Sequence, residues 1–477
     1  MLEAELLTDF PPEVPVSAET VAASVAASGR ILVVLDDDPT GTQSVADLPV
    51  LTRWEVEDLR WALAQGAAAV YVLTNTRSLD PADAEQRNRE VVTNALAAAD
   101  GAPLSFVSRS DSTLRGHYPL EPDVIADVLH QQAGIRTDGV VIVPAFPDAG
   151  RVTIGGTHYT RGDGGALIPV AETEFARDAT FGFRSSELAR YVEEKSGGRF
   201  AASDVVVLDL HLVRGGSAGM ADALDGVSGS TPIVVDIVTE NDLRALALGL
   251  AEAEARGKTL LYRVGPPFVR GRIGQQVRAP LTAEEVYGDT PRSSGGGLVV
   301  VGSHVGLTTR QLAVLTAEHT SARMVEIAVD RLLAPDTSAA ELDRVVADVT
   351  GALDVGDVVV QTSRMLVKRD DPAESLRIAR TVSAAVVEVV QRTLAAHPPR
   401  FVIAKGGITS SDVAAFGLQI RHGLVRGPML PGIVSLWEPV DGRARGIPYV
   451  VFAGNVGDDR SLLEVVRILS TSTQEQP

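Results

Sequence analysis

The stretch ILVVLDDDPTGTQS, residues Ile31 to Ser44, indicates the fold of this chain more strongly than any other part of the sequence. Its first five residues are apolar and mostly β-branched, which predicts a buried parallel strand that Pro39 and Gly41 end at once. Ligands of open α/β sheets lie just beyond the carboxyl ends of the strands, where Asp36 to Asp38 stand. Three adjacent carboxylates need a compensating cation or a proton-donating substrate. The run therefore predicts a site; the alternative is a capping aspartate in a solvated acidic turn.

The composition is typical of a large α/β enzyme with an acidic surface. The 477 residues suggest roughly two to four domains, and a hydrophobic content of 45% supports sizeable cores. The net charge of −19 and the aromatic content of 4% disfavour nucleic acid and anionic membranes as partners. Because the chain has no cysteine, disulfides, thiolate catalysis and zinc-thiolate sites are excluded. The chain shows neither a signal-peptide pattern nor a long apolar run, which predicts a cytoplasmic protein.

The order of patterns along the chain predicts two α/β domains with largely parallel sheets. Residues 1–29 are interpreted as an N-terminal tail, and strand-like and helical patterns alternate over residues 30–287. The Gly/Ser/Pro-rich segment Gly288 to Gly297 is interpreted as a flexible linker. A second α/β domain follows at residues 298–477, with a capping box at Asp371 to Glu374 that opens a helix ending near Ala396. The predicted strands are Ile31–Leu35, Val70–Leu73, Leu104–Val107, Val140–Val143, Val205–Leu208, Ile233–Val235, Thr259–Tyr262, Leu298–Val301, Val358–Gln361, Phe401–Ala404 and Tyr449–Phe452.

The segment FVIAKGGITSSDVAAFGLQ, Phe401 to Gln419, has the pattern of a phosphate-binding turn. Gly406 and Gly407 let backbone amides approach a ligand, and the hydroxyl-rich turn from Thr409 adds a cap and a helix N-terminus. The alternative is an ordinary strand-to-helix turn with good capping residues. Lys405 could balance phosphate charge or be a solvated lysine.

Two further strand ends in the second domain repeat this pattern. LVVVGSHVGLTTRQL, from Leu298, places Ser303 after a strand, and YVVFAGNVGDD ends a strand in Gly454, Asn455 and Gly457. Three such strand ends in one domain favour a nucleotide site. A strict G-x-G-x-x-G is absent from the sequence, and the P-loop imitation at Gly257 to Thr259 leads into a strand rather than a helix.

The first domain contains two polar loops that follow predicted strands. SFVSRSDSTLRGHYPLEPD begins at Ser105, and VPAFPDAGRVTIGGTHY begins at Val143. Guanidiniums among hydroxyls suit a carboxylate or a phosphate, since arginine can pair with either in bidentate fashion. The alternative is a polar loop that holds one internal Arg–Asp pair, and a lone His158 or Tyr159 is more often structural than catalytic. The candidate substrate-binding residues are Arg109, Asp111, Ser112, Thr113, Arg115, Gly116 and Arg151. The histidines show no zinc-ligand spacing, and no metal-binding residues are predicted.

Taken in order, DDDPTGT, SRSDSTLRG, PAFPDAGR, KGGITS and AGNVGD resemble motifs of the four-carbon acid sugar kinase family, over Arg30 to Leu469. The resemblance implies a sugar-acid-binding domain at 30–287 and a nucleotide-binding domain at 298–477. It implies phosphorylation of threonate, erythronate or 3-oxo-tetronate with ATP. It also implies sugar-acid contacts from the aspartate run and from Arg109 to Arg115. The ATP contacts that it implies are Ser303, Gly406, Gly407, Ile408, Thr409, Gly454, Asn455 and Gly457.

The sequence departs from the family pattern in four places, which leaves the identity of the substrate open. Asp37 begins the sequence Asp-Asp-Pro-Thr-Gly-Thr, where the family more commonly has Asp-Asp-Leu-Thr-Gly-Ala. Arg109 stands where lysine is frequent, Lys405 precedes the glycine pair, and Ile408 fills a position that is often acidic.

The leading hypothesis is an ATP-dependent kinase in which Mg²⁺ bridges phosphate oxygens and an aspartate accepts the hydroxyl proton. Asp37 is preferred as this base because it begins the matching part of the motif, with Asp36 and Asp38 as the alternatives. A dehydrogenase or aldolase-like enzyme, and a two-domain sugar-acid sensor without catalysis, are the competing hypotheses. A homodimer is possible from the commonness of two-fold symmetry.

Overall fold

The computed structural model describes residues 2–288, 295–363 and 372–470. Most of the predicted linker (residues 289–294) and Asp371 of the predicted capping box lie outside these residues. Contacts divide the chain into two compact units. The first unit comprises Met1–Pro49 and Trp54–Val277, and the second comprises Val50–Arg53 and Arg278–Pro477. Residues 1–29 therefore belong to the first unit.

The predicted N-terminal tail contains two helices, α1 (Glu3–Leu6) and α2 (Ala18–Ser28). Helix α2 begins after Ser17, whose side chain accepts a hydrogen bond from Thr20 N, and it ends at Gly29. The buried Val21 and Val25 pack against Ala247 of the first unit. Burial of this apolar face explains why α2 belongs to the fold of that unit.

A fully parallel sheet forms the core of the first unit. Its elements after α2 are β1 (Ile31–Asp36), α3 (Val56–Leu63), β3 (Ala69–Leu73), α4 (Pro81–Ala98), β4 (Leu104–Arg109), α5 (Leu120–Ala133), β5 (Gly139–Val143), β6 (Arg151–Ile154), β7 (Thr157–Arg161), β8 (Leu167–Pro169), α6 (Leu188–Lys195), β9 (Val206–Leu208), α7 (Leu210–Arg214), α8 (Ser217–Leu224), β10 (Thr231–Val235), α9 (Glu240–Ala255), β11 (Leu260–Val264) and α10 (Pro267–Arg272). Strand β2 (Leu48–Leu51) follows β1 in the chain, and its last two residues belong to the second unit. Within this unit the strand order is β3-β1-β4-β11-β5-β10-β9, and all neighbours are parallel. Strands buried on both faces explain the uninterrupted apolar runs in the sequence.

A small antiparallel sheet, β6-β7-β8, accompanies the parallel sheet. Val152, Ile154 and Tyr159 bury one face of it against Leu210 and Val238. The sequence did not predict these strands, because they are short and lie between glycine-rich turns.

The second unit has a mixed sheet. Its elements are α11 (Ala283–Tyr287), β12 (Leu298–Val301), α12 (Gly306–Glu318), β13 (Arg323–Ile327), α13 (Val329–Leu333), α14 (Pro335–Leu353), β14 (Val358–Thr362), α15 (Pro372–Ala396), β15 (Val402–Lys405), α16 (Gly407–Asp412), β16 (His422–Leu430), β17 (Ile433–Pro439), β18 (Tyr449–Phe452) and α17 (Ser461–Ser470). The order within this unit is β13-β14-β12-β15-β18-β17-β16. Neighbours from β13 to β18 are parallel, and β17 pairs antiparallel with both β18 and β16.

The predicted fold class, two α/β domains with largely parallel sheets, is confirmed. Every predicted strand is present within one or two residues of its predicted bounds, and α15 ends at Ala396 as predicted. The sequence did not predict β2, β13 and the β16–β17 hairpin, because polar residues, glycine or proline interrupt their apolar runs. Within the described residues, no helix combines the length and apolar character needed to cross a membrane.

Candidate functional site

The aspartate run lies at the carboxyl end of β1, in the middle of the parallel sheet. The register pairs Asp36 with Arg109 at the end of β4, and Arg109 in turn with Val264 at the end of β11. Arg109 is 1% exposed, and its Nε donates to Asp36 Oδ1 while its Nη2 donates to the Asp38 carbonyl. Arg109, a predicted substrate-binding residue, thus pairs with the aspartate run of the protein itself.

Asp37 pairs with Arg77, which follows β3, and its Oδ1 also lies 3.4 Å from Arg109 Nη2. Arg77 Nη2 lies 2.6 Å from Asp37 Oδ1, and Arg77 Nε lies 3.1 Å from Oδ2. The Gly116 backbone also passes close to this carboxylate, because a Cβ built on Gly116 would lie 3.1 Å from Asp37 Oδ2. Both oxygens of Asp37 are therefore engaged within the protein.

Asp38 is the most accessible carboxylate of the run. Its side chain is 19% exposed, against 2% for Asp36 and 1% for Asp37. Asp38 Oδ1 accepts hydrogen bonds from Thr40 N at 2.8 Å and from Thr40 Oγ1 at 2.5 Å, and Arg77 Nη1 lies 3.6 Å from Oδ2. One oxygen thus caps the short turn Pro39–Ser44, while the other faces the Arg77 guanidinium at the longer distance of 3.6 Å.

The three carboxyl groups differ in proton affinity. Burial raises the pKa of Asp36 to about 7, although Arg109 opposes the shift. Burial likewise raises the pKa of Asp37 against the opposing charges of Arg77 and Arg109. Burial acts on Asp38 in the same sense, but there the two guanidiniums prevail and the pKa lies below its usual range.

The loop after β4 holds an internal ion pair. Arg115 Nε lies 2.6 Å from Asp111 Oδ2, the Thr113 hydroxyl donates to the same oxygen, and the Arg115 guanidinium stacks 5.1 Å from the Phe175 ring centre. Burial would raise the pKa of Asp111, but Arg77 and Arg115 outweigh it and hold the pKa well below its usual range. Arg115 and Asp111 thus form an internal Arg–Asp pair, as in the alternative interpretation of this loop.

Arg151 differs from the other arginines of this region. Its buried Nε has no hydrogen-bond partner, and its guanidinium makes no ion pair with any described residue. Burial lowers the pKa of Arg151, and the charges of Asp111 and Arg115 lie near enough to act on it. A half-buried guanidinium without a partner is a candidate ligand for an anionic group.

His158 forms a hydrogen bond with the loop after β4. Its ring is fully buried, with Nε2 2.8 Å from the Ser112 carbonyl and Nδ1 3.0 Å from Thr153 Oγ1. Burial lowers the pKa of His158 to about 4, so the ring is neutral, with Nε2 donating and Nδ1 accepting. The prediction that a lone histidine here is structural agrees with these contacts.

Three charged residues of this region were missed by the sequence analysis. Arg77 lies in the short turn after β3, and this position after a predicted strand is the signal that the sequence contains for it. Arg263 of β11 and Glu121 of α5 form a buried ion pair, and Glu121 also accepts from Ser108 Oγ at 3.0 Å and Thr76 Oγ1 at 2.5 Å. No local signal distinguishes them, because the parallel pairing of distant segments brings them together.

The glycine-rich strand ends of the second unit converge at one place. A Cβ built on Gly406, whose φ is +130°, would lie 3.2 Å from Thr409 Oγ1 and 3.3 Å from Ser303 Cβ. A Cβ on Gly302 would collide with Thr409, and one on Gly454 would lie 2.5 Å from Ser303 Oγ. We use the name cradle for the five residues Gly302, Ser303, Gly406, Thr409 and Gly454. Side chains at the glycines would fill it, so it fits a phosphate chain that lies against bare backbone.

The remaining predicted nucleotide residues lie around the cradle. Gly407 is the first residue of α16, and Ile408 is 60% exposed. Thr308 Oγ1 lies 3.1 Å from Ser303 Oγ and 2.9 Å from the Gly454 carbonyl, which joins two of the strand ends. Asn455 is exposed, and Gly457 has a φ of +81°.

Lys405 is not the solvated lysine of one of its two interpretations from the sequence. It is 0% exposed, and its Nζ donates to the Ala453 carbonyl at 2.7 Å. The ammonium therefore lies beneath the cradle rather than in solvent. Among the described residues no group of three or more His, Asp or Glu side chains is arranged to hold a metal ion.

Family models of known protein domains match both units. A family model of a sugar-binding N-terminal domain matches residues 32–272, and a model of a nucleotide-binding C-terminal domain matches residues 298–462. The chain thus has a two-domain architecture that matches these two family models. It belongs to the four-carbon acid sugar kinase family, as the motifs predict.

Two curated proteins are similar in sequence. D-erythronate kinase of Heliobacterium modesticaldum is 30% identical over 291 residues, which span 60% of this chain and 58% of that protein. D-threonate kinase of Cupriavidus necator is 28% identical over 377 residues, or 75% of this chain and 80% of that protein.

Two crystal structures share the fold. One, from Salmonella typhimurium LT2, matches with a TM-score of 0.66 at 19% identity, over 91% of this chain and 98% of the other. Protein HI1011 of Haemophilus influenzae matches with a TM-score of 0.59 at 17% identity and the same coverage.

Proposed function

We propose that this protein is an ATP-dependent kinase that phosphorylates a hydroxyl of a small, four-carbon sugar acid such as threonate, erythronate or 3-oxo-tetronate. The observation that carries the proposal is the coincidence of each family-model domain with a polar strand-end site of matching chemistry. The sugar-binding model covers the aspartate run and Arg151, and the nucleotide-binding model covers the cradle. The two curated relatives are named as kinases of acids in this class.

Arg151 is the proposed partner of the substrate carboxylate. Arg109, Arg77 and Arg115 already pair with carboxylates of the protein. Arg151 is partly exposed and makes no ion pair with a described residue, so its guanidinium can donate to an incoming carboxylate without breaking an internal pair. Charge-assisted bonds of this kind are the strong hydrogen bonds of a binding site.

Asp38 is the aspartate that geometry favours as the proton acceptor, although the motif match begins at Asp37. A base must first reach the hydroxyl, and Asp38 has the most exposed side chain of the three. The substrate oxygen forms a bond to the γ-phosphorus of ATP, the bond from that phosphorus to ADP breaks, and the hydroxyl proton moves to Asp38. Asp36 and Asp37 then serve to hold Arg109 and Arg77 in place.

ATP enters as its Mg²⁺ complex, so the metal ion arrives with the substrate. The cradle supplies close backbone approach, the Ser303 and Thr409 hydroxyls and the N-terminus of α16. These groups bind and orient the phosphate chain, which is most of what phosphoryl transfer requires of a protein.

The test mixes the protein with ATP, Mg²⁺ and each acid of a four-carbon panel and measures ADP. We expect ADP to form with at least one acid and a phosphate ester of that acid to appear by phosphorus NMR. A sensor would bind an acid without forming ADP, and a dehydrogenase or aldolase would change the acid without consuming ATP. Either result would overturn the proposal.

A further inference from the structure

Lys405 touches each of the three strand ends that form the cradle. Its backbone carbonyl accepts from Gly302 N and Ser303 N, each at 3.3 Å. Its Nζ donates at 2.7 Å to the carbonyl of Ala453, the residue before Gly454. Lys405 itself directly precedes Gly406. One residue thus connects the ends of β12, β15 and β18.

The side chain of Lys405 lies on the sheet face that α12 and α17 cover. The parallel register pairs Lys405 with Phe452 and Val301, and paired residues of neighbouring strands point to the same face. Phe452 and Val301 belong to the core cluster that includes Leu312 of α12. The Lys405 Nζ lies 3.7 Å from the centre of the Phe452 ring. The ammonium is therefore at the end of this core nearest to the cradle.

No described carboxylate compensates this buried charge. The charged residues of α11, α12, α17 and the segments that lead into α12 and α17 have exposed side chains: Glu284, Glu285, His304, Arg310, Glu318, Asp458, Asp459, Arg460, Glu464 and Arg467. Several of them pair with one another at the surface, such as Arg310 with Asp459 and Arg460 with Glu318. A buried cation without a counter-ion costs free energy that an apolar side chain of similar length would not. An anion bound in the cradle would supply the missing counter-charge.

We propose that Lys405 is the positioning cation of the nucleotide site: it holds the Ala453 carbonyl, and with it the Gly454 end of the cradle, and its charge attracts the phosphates from below. This inference rests on the nucleotide binding proposed above. Burial lowers the pKa of Lys405 to about 7, so at pH 8 the free protein holds mostly the neutral amine. Bound phosphates favour the ammonium, so nucleotide binding at pH 8 takes up a proton.

Calorimetry of MgADP binding at pH 8, in two buffers of different ionisation enthalpy, measures this proton directly. We expect the wild-type protein to take up nearly one proton, and its affinity to fall as the pH rises from 7 to 9. The Lys405→Met variant should take up none, bind about tenfold more weakly at pH 6.5 and show no such pH dependence. Lys258→Met is the matched control, because Lys258 also donates to backbone carbonyls, at Asp225 and Val227 of the first unit, and its removal should change neither quantity.

The possible failures are distinguishable. If wild-type protein binds MgADP without proton uptake, or if Lys405→Met keeps the wild-type pH profile, the role of Lys405 is refuted while the nucleotide site stands. If wild-type protein binds no MgADP at any pH, the proposed function fails, and this inference fails with it.

Discussion

Asp37 and Arg77 form a two-bond ion pair between the ends of the neighbouring strands β1 and β3, with N–O distances of 2.6 and 3.1 Å. This pair uses both oxygens of Asp37, whereas Asp38 keeps one oxygen free of short contacts. The two adjacent aspartates thus differ in their contacts, and the consequence of this difference can be tested by substitution.

We expect Asp38→Asn to lower turnover by about 10²- to 10⁴-fold, because an amide cannot accept the hydroxyl proton. ATP affinity should be unchanged, since the cradle is formed by other residues. Steady-state kinetics with the best acid of the panel, together with calorimetry of ATP binding, measure both quantities.

Asp37→Asn is the matched comparison for that experiment. Losing one carboxylate of a buried pair should lower the free energy of unfolding by about 3 kcal/mol. Denaturant unfolding gives this value. A folded Asp38→Asn protein with normal turnover, beside an inactive but equally stable Asp37→Asn protein, would assign the base to Asp37 instead.

Arg151→Ala should raise the KM for the sugar acid by about 10- to 100-fold and leave the ATP Kd unchanged. The reason is the loss of a charge-assisted bond to the substrate carboxylate, worth roughly 1.5–3 kcal/mol. Arg115→Ala is the control, since its guanidinium is paired with Asp111 and should affect stability more than KM. An unchanged KM in Arg151→Ala would remove Arg151 from the site.

Gly406→Ala should abolish detectable nucleotide binding. The φ of +130° is strained for any L side chain, and the new Cβ would lie within 3.3 Å of Ser303 and Thr409 inside the cradle. Gly351→Ala is the control, because Gly351 lies in helix α14 with open space around its Cβ position and should gain about 0.5–1 kcal/mol of stability. Normal ATP affinity in Gly406→Ala would place the phosphates elsewhere.

His158 should make the protein sensitive to acid. Its folded pKa of about 4 lies below the ordinary value of 6.5, so the unfolded chain binds the proton first. The stability that neutral His158 contributes is therefore complete above pH 6.5 and is lost as the pH falls towards 4, by about 3 kcal/mol. Unfolding of wild-type and His158→Gln protein across this range measures it. Parallel pH profiles of the two proteins would contradict the assignment.

The Lys405→Met variant should be more stable than the wild-type protein at pH 6. This difference in stability should shrink as the pH rises. The folded pKa of Lys405 lies below its ordinary value of 10.5, so protonation opposes folding, and this penalty declines between pH 7 and 10.5. Thermal unfolding of both proteins at pH 6 and pH 9 tests this. Equal stability at both pH values would show that the buried charge is compensated.

The sequence alone was sufficient for the strands with uninterrupted apolar runs and for the polar residues at their ends. A run such as ILVVLD is typical of a strand that is buried on both faces of a parallel sheet, and the sites of such sheets lie at the carboxyl ends of the strands. For this reason Asp36 to Asp38 and the glycine turns at Ser303, Gly406 and Gly454 could be proposed from local pattern. The predicted family follows from the same segments, and the family models confirm it.

Tertiary structure alone decided which charges meet. Arg109, Arg115 and Arg151 look alike in the sequence. In the structure, strand register pairs Arg109 with Asp36 and the loop after β4 pairs Arg115 with Asp111, whereas Arg151 forms no ion pair with any acidic residue that the structure describes. Lys405 likewise follows a strand as a solvated lysine would, yet its position on the Phe452 face buries it beneath the cradle. Periodicity specifies how each segment buries its own apolar surface, whereas ion pairing and proton affinity depend on atoms that the fold brings together from distant segments.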